Sequence, residues 1–181
     1  MSSISFASPL IVADDGIIVD GAKVKIEQID SELYEKTGVS IVLYVKKSLN
    51  NESIFDYEKN ISSTLKEPFV LIVFAENEKK VDIVVKPESL DKIVDKNYIL
   101  NNRIIPILGA AGDKNSPESR YSASLLNGIG EIADKIAESK NATLDSSLGS
   151  QTSSTMNIVR AVFYGILALA AGVLIYRRFI A

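Results

Sequence analysis

The stretch FVLIVFAENEKKVDIVV, residues 69–85, decides the fold. Phe69 to Ala75 is a continuous apolar run, which suits a central strand buried on both faces. Glu76-Asn77-Glu78-Lys79 is a polar turn, and Lys80 to Val85 is the return strand. Together they predict a β-hairpin. In the return strand Asp82 alternates with Val81 and Ile83, which predicts a solvent-facing position.

Upstream, Val39 to Val45 (VSIVLYV) is β-branched and aromatic, and reads as a second strand of the same sheet. Two helices bracket it. The first runs from about Gly21 to Lys36, with Asp20 as its cap; Ala22, Ile26, Ile29 and Leu33 share one face, and Gly38 makes a left-handed stop. The second runs from about Ile54 to Leu65, with Ser53 and Asp56 as a weak N-cap pair and Ile54, Tyr57 (or Glu58), Ile61 and Leu65 on one side. Residues 8–18 (SPLIVADDGII) are short, partly apolar and turn-bearing at Asp14-Asp15-Gly16.

Downstream, Pro87 begins a helical turn through Leu90. Ile99 to Leu108 is apolar but broken by Asn101, Asn102 and Pro106, and periodicity assigns it to no element. Ser116-Pro117-Glu118 combines a cap, a proline at the first helical position and an acid at the positive helix end. The helix it opens runs to about Ser139, with Tyr121, Leu125, Ile129, Ile132 and Ile136 as the buried stripe. Gly128 and Gly130 cost that helix roughly 1 kcal/mol each against Ala, a cost consistent with close packing on the sheet. The expected fold is α/β, a three-layer-like sheet of about four strands packed by helices, plus one C-terminal transmembrane helix.

The membrane expectation rests on Ile158 to Tyr176, IVRAVFYGILALAAGVLIY. Ala161 to Tyr176 carries no charge, and Met156, Ile158 and Val159 bring the span close to the roughly 20 residues a helix needs to cross the hydrocarbon. Arg160 can snorkel to headgroups, and Tyr164 and Tyr176 suit the interfaces. Arg177 and Arg178 predict a cytoplasmic C-terminus and an exported body, periplasmic or outside. Ser5-Phe6-Ala7 looks like the end of a cleaved signal peptide, with Ser8 next. The expected organisation is a remnant leader or disordered segment at 1–7, an α/β domain at 8–140, a Ser/Thr-rich flexible linker at 141–155, a membrane helix at 156–178 and a tail at 179–181. Ala161, Gly165, Ala168 and Gly172 form a small-residue stripe on which a partner helix, or a second copy, can pack.

Composition narrows the chemistry. Of 20 basic and 23 acidic residues, the body before the anchor holds 17 and 23, a net charge of −6. An acidic body argues against nucleic acid as a partner. The chain has no Cys and no His, which removes disulfides, the usual zinc ligands and a Ser-His-Asp triad. Carboxylates remain for a hard metal. Asp14, Asp15 and Asp20 are the best acidic cluster, a candidate for Ca²⁺ or phosphate-related work, with turn and cap duties as the other reading. Asp56 and Asp82 are residues the fold can bring toward it.

The order helix, strand, helix, strand, hairpin strand, long helix, linker and membrane helix resembles the TPM domain family, over about residues 10–140. Residues 12–49 (VADDGIIVDGAKVKIEQIDSELYEKTGVSIVLYVKKSL) look like the family's opening Asp-containing turn, first helix, "TG" stop and first strand. SIFDYEKNI at 53–61 is similar to its second helix start, and VLIVFAENEKKVDIVV at 70–85 resembles its central hairpin. Members include bacterial envelope proteins, thylakoid-lumen proteins of photosystem maintenance and an animal receptor auxiliary subunit. Some are linked to acid phosphatase activity or to divalent-cation binding through acidic residues. Members often carry an Asp-Asn-Gly turn before the central strand and a glycine-rich segment after the hairpin; here those places read Lys66-Glu67-Pro68-Phe69 and Val85-Lys86-Pro87-Glu88. The resemblance with these departures implies a membrane-anchored accessory or interaction protein that assists assembly, maintenance or modulation of a membrane complex. A metal-dependent acid-phosphatase-like hydrolase is the alternative.

Overall fold

A computed structural model describes residues 10–110 and 116–146. The four strands it contains lie in chain order: β1 (Leu10–Asp14), β2 (Ser40–Lys46), β3 (Phe69–Ala75) and β4 (Lys80–Lys86). The first three are parallel, and β4 returns antiparallel to β3, pairing Phe69 with Lys86 and Ala75 with Lys80. The expected hairpin therefore forms. All seven residues of β3 are buried, because both faces of the sheet are covered. Val70, Ile72 and Phe74 join a large core with helices α1 (Asp20–Thr37) and α6 (Pro117–Ser139). Phe69, Leu71, Val73 and Ala75 pack instead toward α2 (Ile54–Ser62). The three-layer expectation holds.

This placement has a topological consequence. β1, β2 and β3 step across the sheet in one direction, yet α1 and α2 lie on opposite faces. The two crossovers therefore have opposite hands, and one departs from the right-handed rule.

Strand β1 falls in the segment that sequence patterning left unassigned. Leu10 pairs opposite Val42, and the register shifts between Ile11 and Ala13. The buried carboxylate of Asp30 accepts the amide of Ile41 at 2.5 Å. A helix side chain thus supplies the acceptor for a strand amide. The stripe of α1 is as expected, with Ala22, Ile26, Ile29 and Leu33 all buried, and Gly38 ends the helix at φ 73°. Asp20 is not the cap: Val19 occupies that position, and its amide donates to Ser122 Oγ of α6 at 3.0 Å. Ser53 does cap α2, accepting the Asp56 amide at 3.1 Å.

After β4 come two short helices, α3 (Glu88–Asp91) and α4 (Lys96–Ile99), then a π-helical turn at Leu100–Ile104 and α5 (Ile105–Leu108). This is the broken 99–108 segment. Pro106 cannot donate an amide, and its ring crowds the carbonyl four residues back, so the helix widens by one residue just before it. The side-chain amides of Asn101 and Asn102 donate to the carbonyls of Asn97 and Tyr98 at 2.9 Å each. Gly128 packs against this turn rather than on the sheet: a Cβ there would fall 2.5 Å from Ile104 Cδ1 and Cγ1.

Residues 141–146, expected to belong to a linker, pack on the body. Leu144 is buried, and Glu32 of α1 accepts the amides of Asp145 and Ser146, each at 2.8 Å. Lys36 Nζ donates to the carbonyl of Thr143 at 2.7 Å. Residues 141–146 thus belong to the body, held by an apolar anchor and a carboxylate that composition does not reveal. Residues 1–7, the membrane helix at 156–178, its stripe Ala161, Gly165, Ala168 and Gly172, and Arg177 and Arg178 lie outside the described residues. Among the described residues no helix is long and apolar enough to cross a membrane.

Candidate functional site

The carboxyl ends of parallel strands are where open α/β sheets place ligands. Asp14 ends β1 there, and Asp15 follows it. Asp14 Oδ1 accepts the amides of Ile17 (2.8 Å) and Ile18 (3.2 Å), closing the turn through Gly16 at φ 84°. Its other oxygen meets Lys23 Nζ at 2.8 Å, and the same ammonium lies 3.7 Å from Asp20, whose side chain is fully exposed. Burial raises the Asp14 pKa, but Lys23 and the two amides outweigh it, and the carboxyl stays below its ordinary range. Asp15 turns the other way, to Lys46 Nζ at 2.7 Å and the amide of Lys47 at 3.0 Å, and the Lys46 bond leads the lowering of its pKa. The structure therefore brings Asp14 and Asp20 to one lysine and sends Asp15 to another. Asp56 instead closes the α2 cap with Ser53 Oγ at 2.8 Å. No cluster of three or more acidic, His or Cys side chains suited to a metal occurs among the described residues.

A second feature lies at the same end of the sheet, around the tip of the β3–β4 hairpin. A cleft of about 850 Å³ opens between the start of α2 on one face and α5 with the start of α6 on the other. Phe74 and Tyr121 form one wall, their rings 5.1 Å apart. Phe55 (71% exposed) and Ile105 (45% exposed) stand at its rim. Arg120 lies over the Tyr121 ring at 5.6 Å, donates Nη1 to the carbonyl of Ala110 at 3.2 Å, and has a buried Nε without an acceptor among the described residues. Glu76, Lys79, Lys80 and Asp82 complete the polar lining.

Asp82 is half-buried rather than solvent-facing, because α2 covers its face of β4. Opposite it Glu58 is 4% exposed, with Oε1 unpartnered. Burial, and then the charge of Asp82, push the Glu58 carboxyl up to about 7 against a pull from Lys96. The hairpin tip is braced from below: Glu78 accepts Ser48 Oγ at 2.7 Å and the amide of Leu49 at 3.0 Å.

Sequence patterning missed the cleft as a site. Tyr121 was legible only as core, and Arg120, Lys79 and Lys80 as surface. Phe55 carried the one usable signal, a large aromatic off the apolar face of its own helix.

The TPM domain family model matches residues 11–115. The chain belongs to the TPM domain family. The matched span covers the whole sheet, the turn at Asp14-Asp15 and the hairpin that forms the cleft floor. The TPM domain is similar in fold to the solution structure of the N-terminal domain of a protein from P. gingivalis, with a TM-score of 0.56 at 12% identity, covering 70% of this chain and 81% of that one. A looser likeness, TM-score 0.49 at 16% identity, links it to the solution structure of the BA42 protein from the psychrophilic bacterium Bizionia argentinensis, over 68% of this chain and 84% of that one. No curated protein matches the sequence.

Proposed function

We propose that this TPM domain is a binding module that holds a partner protein in the cleft at the hairpin tip. The observation that carries the reading is the apolar rim. Phe55 is 71% exposed at the mouth of an aromatic-walled cleft, a position where a side chain this large costs solvation unless something covers it. The proposal extends to the whole chain. The apolar segment 158–176 anchors the body to a membrane, Arg177 and Arg178 stay on the cytoplasmic side, and the body works outside as an accessory to a membrane complex. The stripe of Ala161, Gly165, Ala168 and Gly172 packs on a partner helix.

The test places a photocrosslinking amino acid at position 55 in the full chain in its native membranes, with position 25, partly exposed on α1, as control. One discrete adduct from position 55 and none from position 25 is expected. Equal labelling from both positions, or none from 55, refutes the binding reading. Extraction of the chain into the soluble fraction by alkaline carbonate refutes the anchor.

A further inference from the structure

We infer that the occupant of the cleft is an extended polypeptide segment bearing an acidic residue, added as a short strand to the outer edge of β4; this rests on the binding reading above. The backbone makes the first argument. Among the described residues β4 is an edge strand, with β3 on one side only. The amide of Ile83 donates to Asp82 Oδ1 at 2.7 Å, so it points away from β3. Outward and inward amides alternate along an antiparallel edge, so the N–H and C=O of Val81 also point outward. Val81 lines the cleft, and no backbone bond among the described residues reaches its outer side. The Asp82 side chain shuts the edge at Ile83 and leaves it open one step earlier, at Val81. An open edge is where an extended segment adds by main-chain pairing.

Charge and shape make the second argument. Two arginines lie among the described residues. Arg103 pairs with Glu131 at 2.9 Å, whereas no carboxylate among the described residues pairs with Arg120. Lys79 and Lys80 flank the open edge and also lack ion-pair partners among the described residues. Side chains of an added strand alternate between faces. One face of the segment meets Phe74, Tyr121 and Arg120; the other meets Ile54, Phe55 and the Asp82 side of β4. An acidic residue on the first face reaches the unpaired guanidinium, and an apolar one on the second covers Phe55. On the Arg120 face a basic residue in place of the acid meets an unpaired cation, which sets the selectivity.

The experiment uses the full chain in nonionic detergent and an acetylated, amidated nonapeptide of alternating valine and glutamate, followed by fluorescence anisotropy. Saturable binding is expected. It should weaken at least about tenfold when lysine replaces glutamate, when alternate amides of the peptide are N-methylated, and in Arg120→Gln, since a charge-assisted or main-chain bond carries on the order of tenfold in affinity. Val81→Pro removes the outward donor while sparing the bonds to β3, and should weaken binding similarly with an unchanged circular dichroism spectrum. Equal binding of the lysine peptide, equal binding of the N-methylated peptide, or no binding overturns the inference. If the position 55 adduct persists while the peptide fails, the partner does not enter as an acidic strand and only this inference falls. If both fail, the binding reading falls with it.

Discussion

Asp30→Asn should make the domain more stable at pH 8 and much less so at pH 5. Asp30 is 2% exposed and accepts the amide of Ile41 at 2.5 Å. Burial pushes its carboxyl up from 3.8 to about 7, and the single amide bond only partly opposes that. An acid with a raised folded pKa holds its proton in the native state while the unfolded chain releases it, so stability falls as pH rises between the two values. The loss begins above about 4 and is complete above about 7. Three pKa units at 1.36 kcal/mol each set an upper bound of about 4 kcal/mol, and structural relaxation with water entry brings the expectation to about 2 kcal/mol. Asparagine keeps the oxygen that accepts Ile41 N–H and cannot ionise. Guanidinium denaturation followed by far-ultraviolet circular dichroism at pH 5 and pH 8 gives both free energies. The variant should gain about 2 kcal/mol over the parent at pH 8 and only about a third of that at pH 5, where about one of the three units has accrued. Asp30→Ala, which leaves the amide unpaired, should lose about 1–3 kcal/mol at pH 5. If Asp30→Asn loses stability at pH 8, the carboxylate is ionised and useful there, and the reasoning is wrong.

Glu58→Gln should show the same sign, stabilising above pH 7, because burial beside Asp82 also raises that carboxyl to about 7; a loss in melting temperature at pH 8 would contradict it. Glu32 has the opposite sign. Burial raises its pKa, but Lys36, Ser146 and the two amides win and hold it near 2, so its contribution is full above about 4.5 and fades as pH falls toward 2. Glu32→Gln should therefore speed amide exchange at Asp145 and Ser146 by about tenfold or more at pH 7, read by NMR, with little change at Ile129 in the core. Gly128→Ala should cost about 1–3 kcal/mol through the clash with Ile104. Combined with Ile104→Ala, it should cost clearly less than the sum of the two single losses, and strict additivity would remove the clash as the cause.

Strand β3 was readable because burial on both faces leaves an unbroken apolar run, and the stripes of α1 and α6 because a one-sided helix repeats at three and four residues. β1 was not readable. It is five residues long and runs into the turn Asp14-Asp15-Gly16 at its last residue, so the turn signal overwrote the strand signal. The π-turn escaped because its period is neither that of a helix nor that of a strand. The acidic cluster was legible as residues but not as partners: Lys23 and Lys46 reach Asp14 and Asp15 from 9 and 31 positions away. The cleft escaped for a similar reason. It is assembled from a hairpin tip and the starts of two helices that are contiguous only in space.

The direction of α6 sets where the domain can look. The helix starts beside the cleft with Arg120 and Tyr121, and its 23 residues span about 34 Å before the chain turns back along α1 to the Glu32 clamp. Ser146 therefore lies near the far pole of the body, and the mouth of the cleft is turned away from it, as a lamp opens away from its cord. A ligand that enters the cleft meets the helix starts and the hairpin tip, and leaves the Glu32 clamp at the other end untouched.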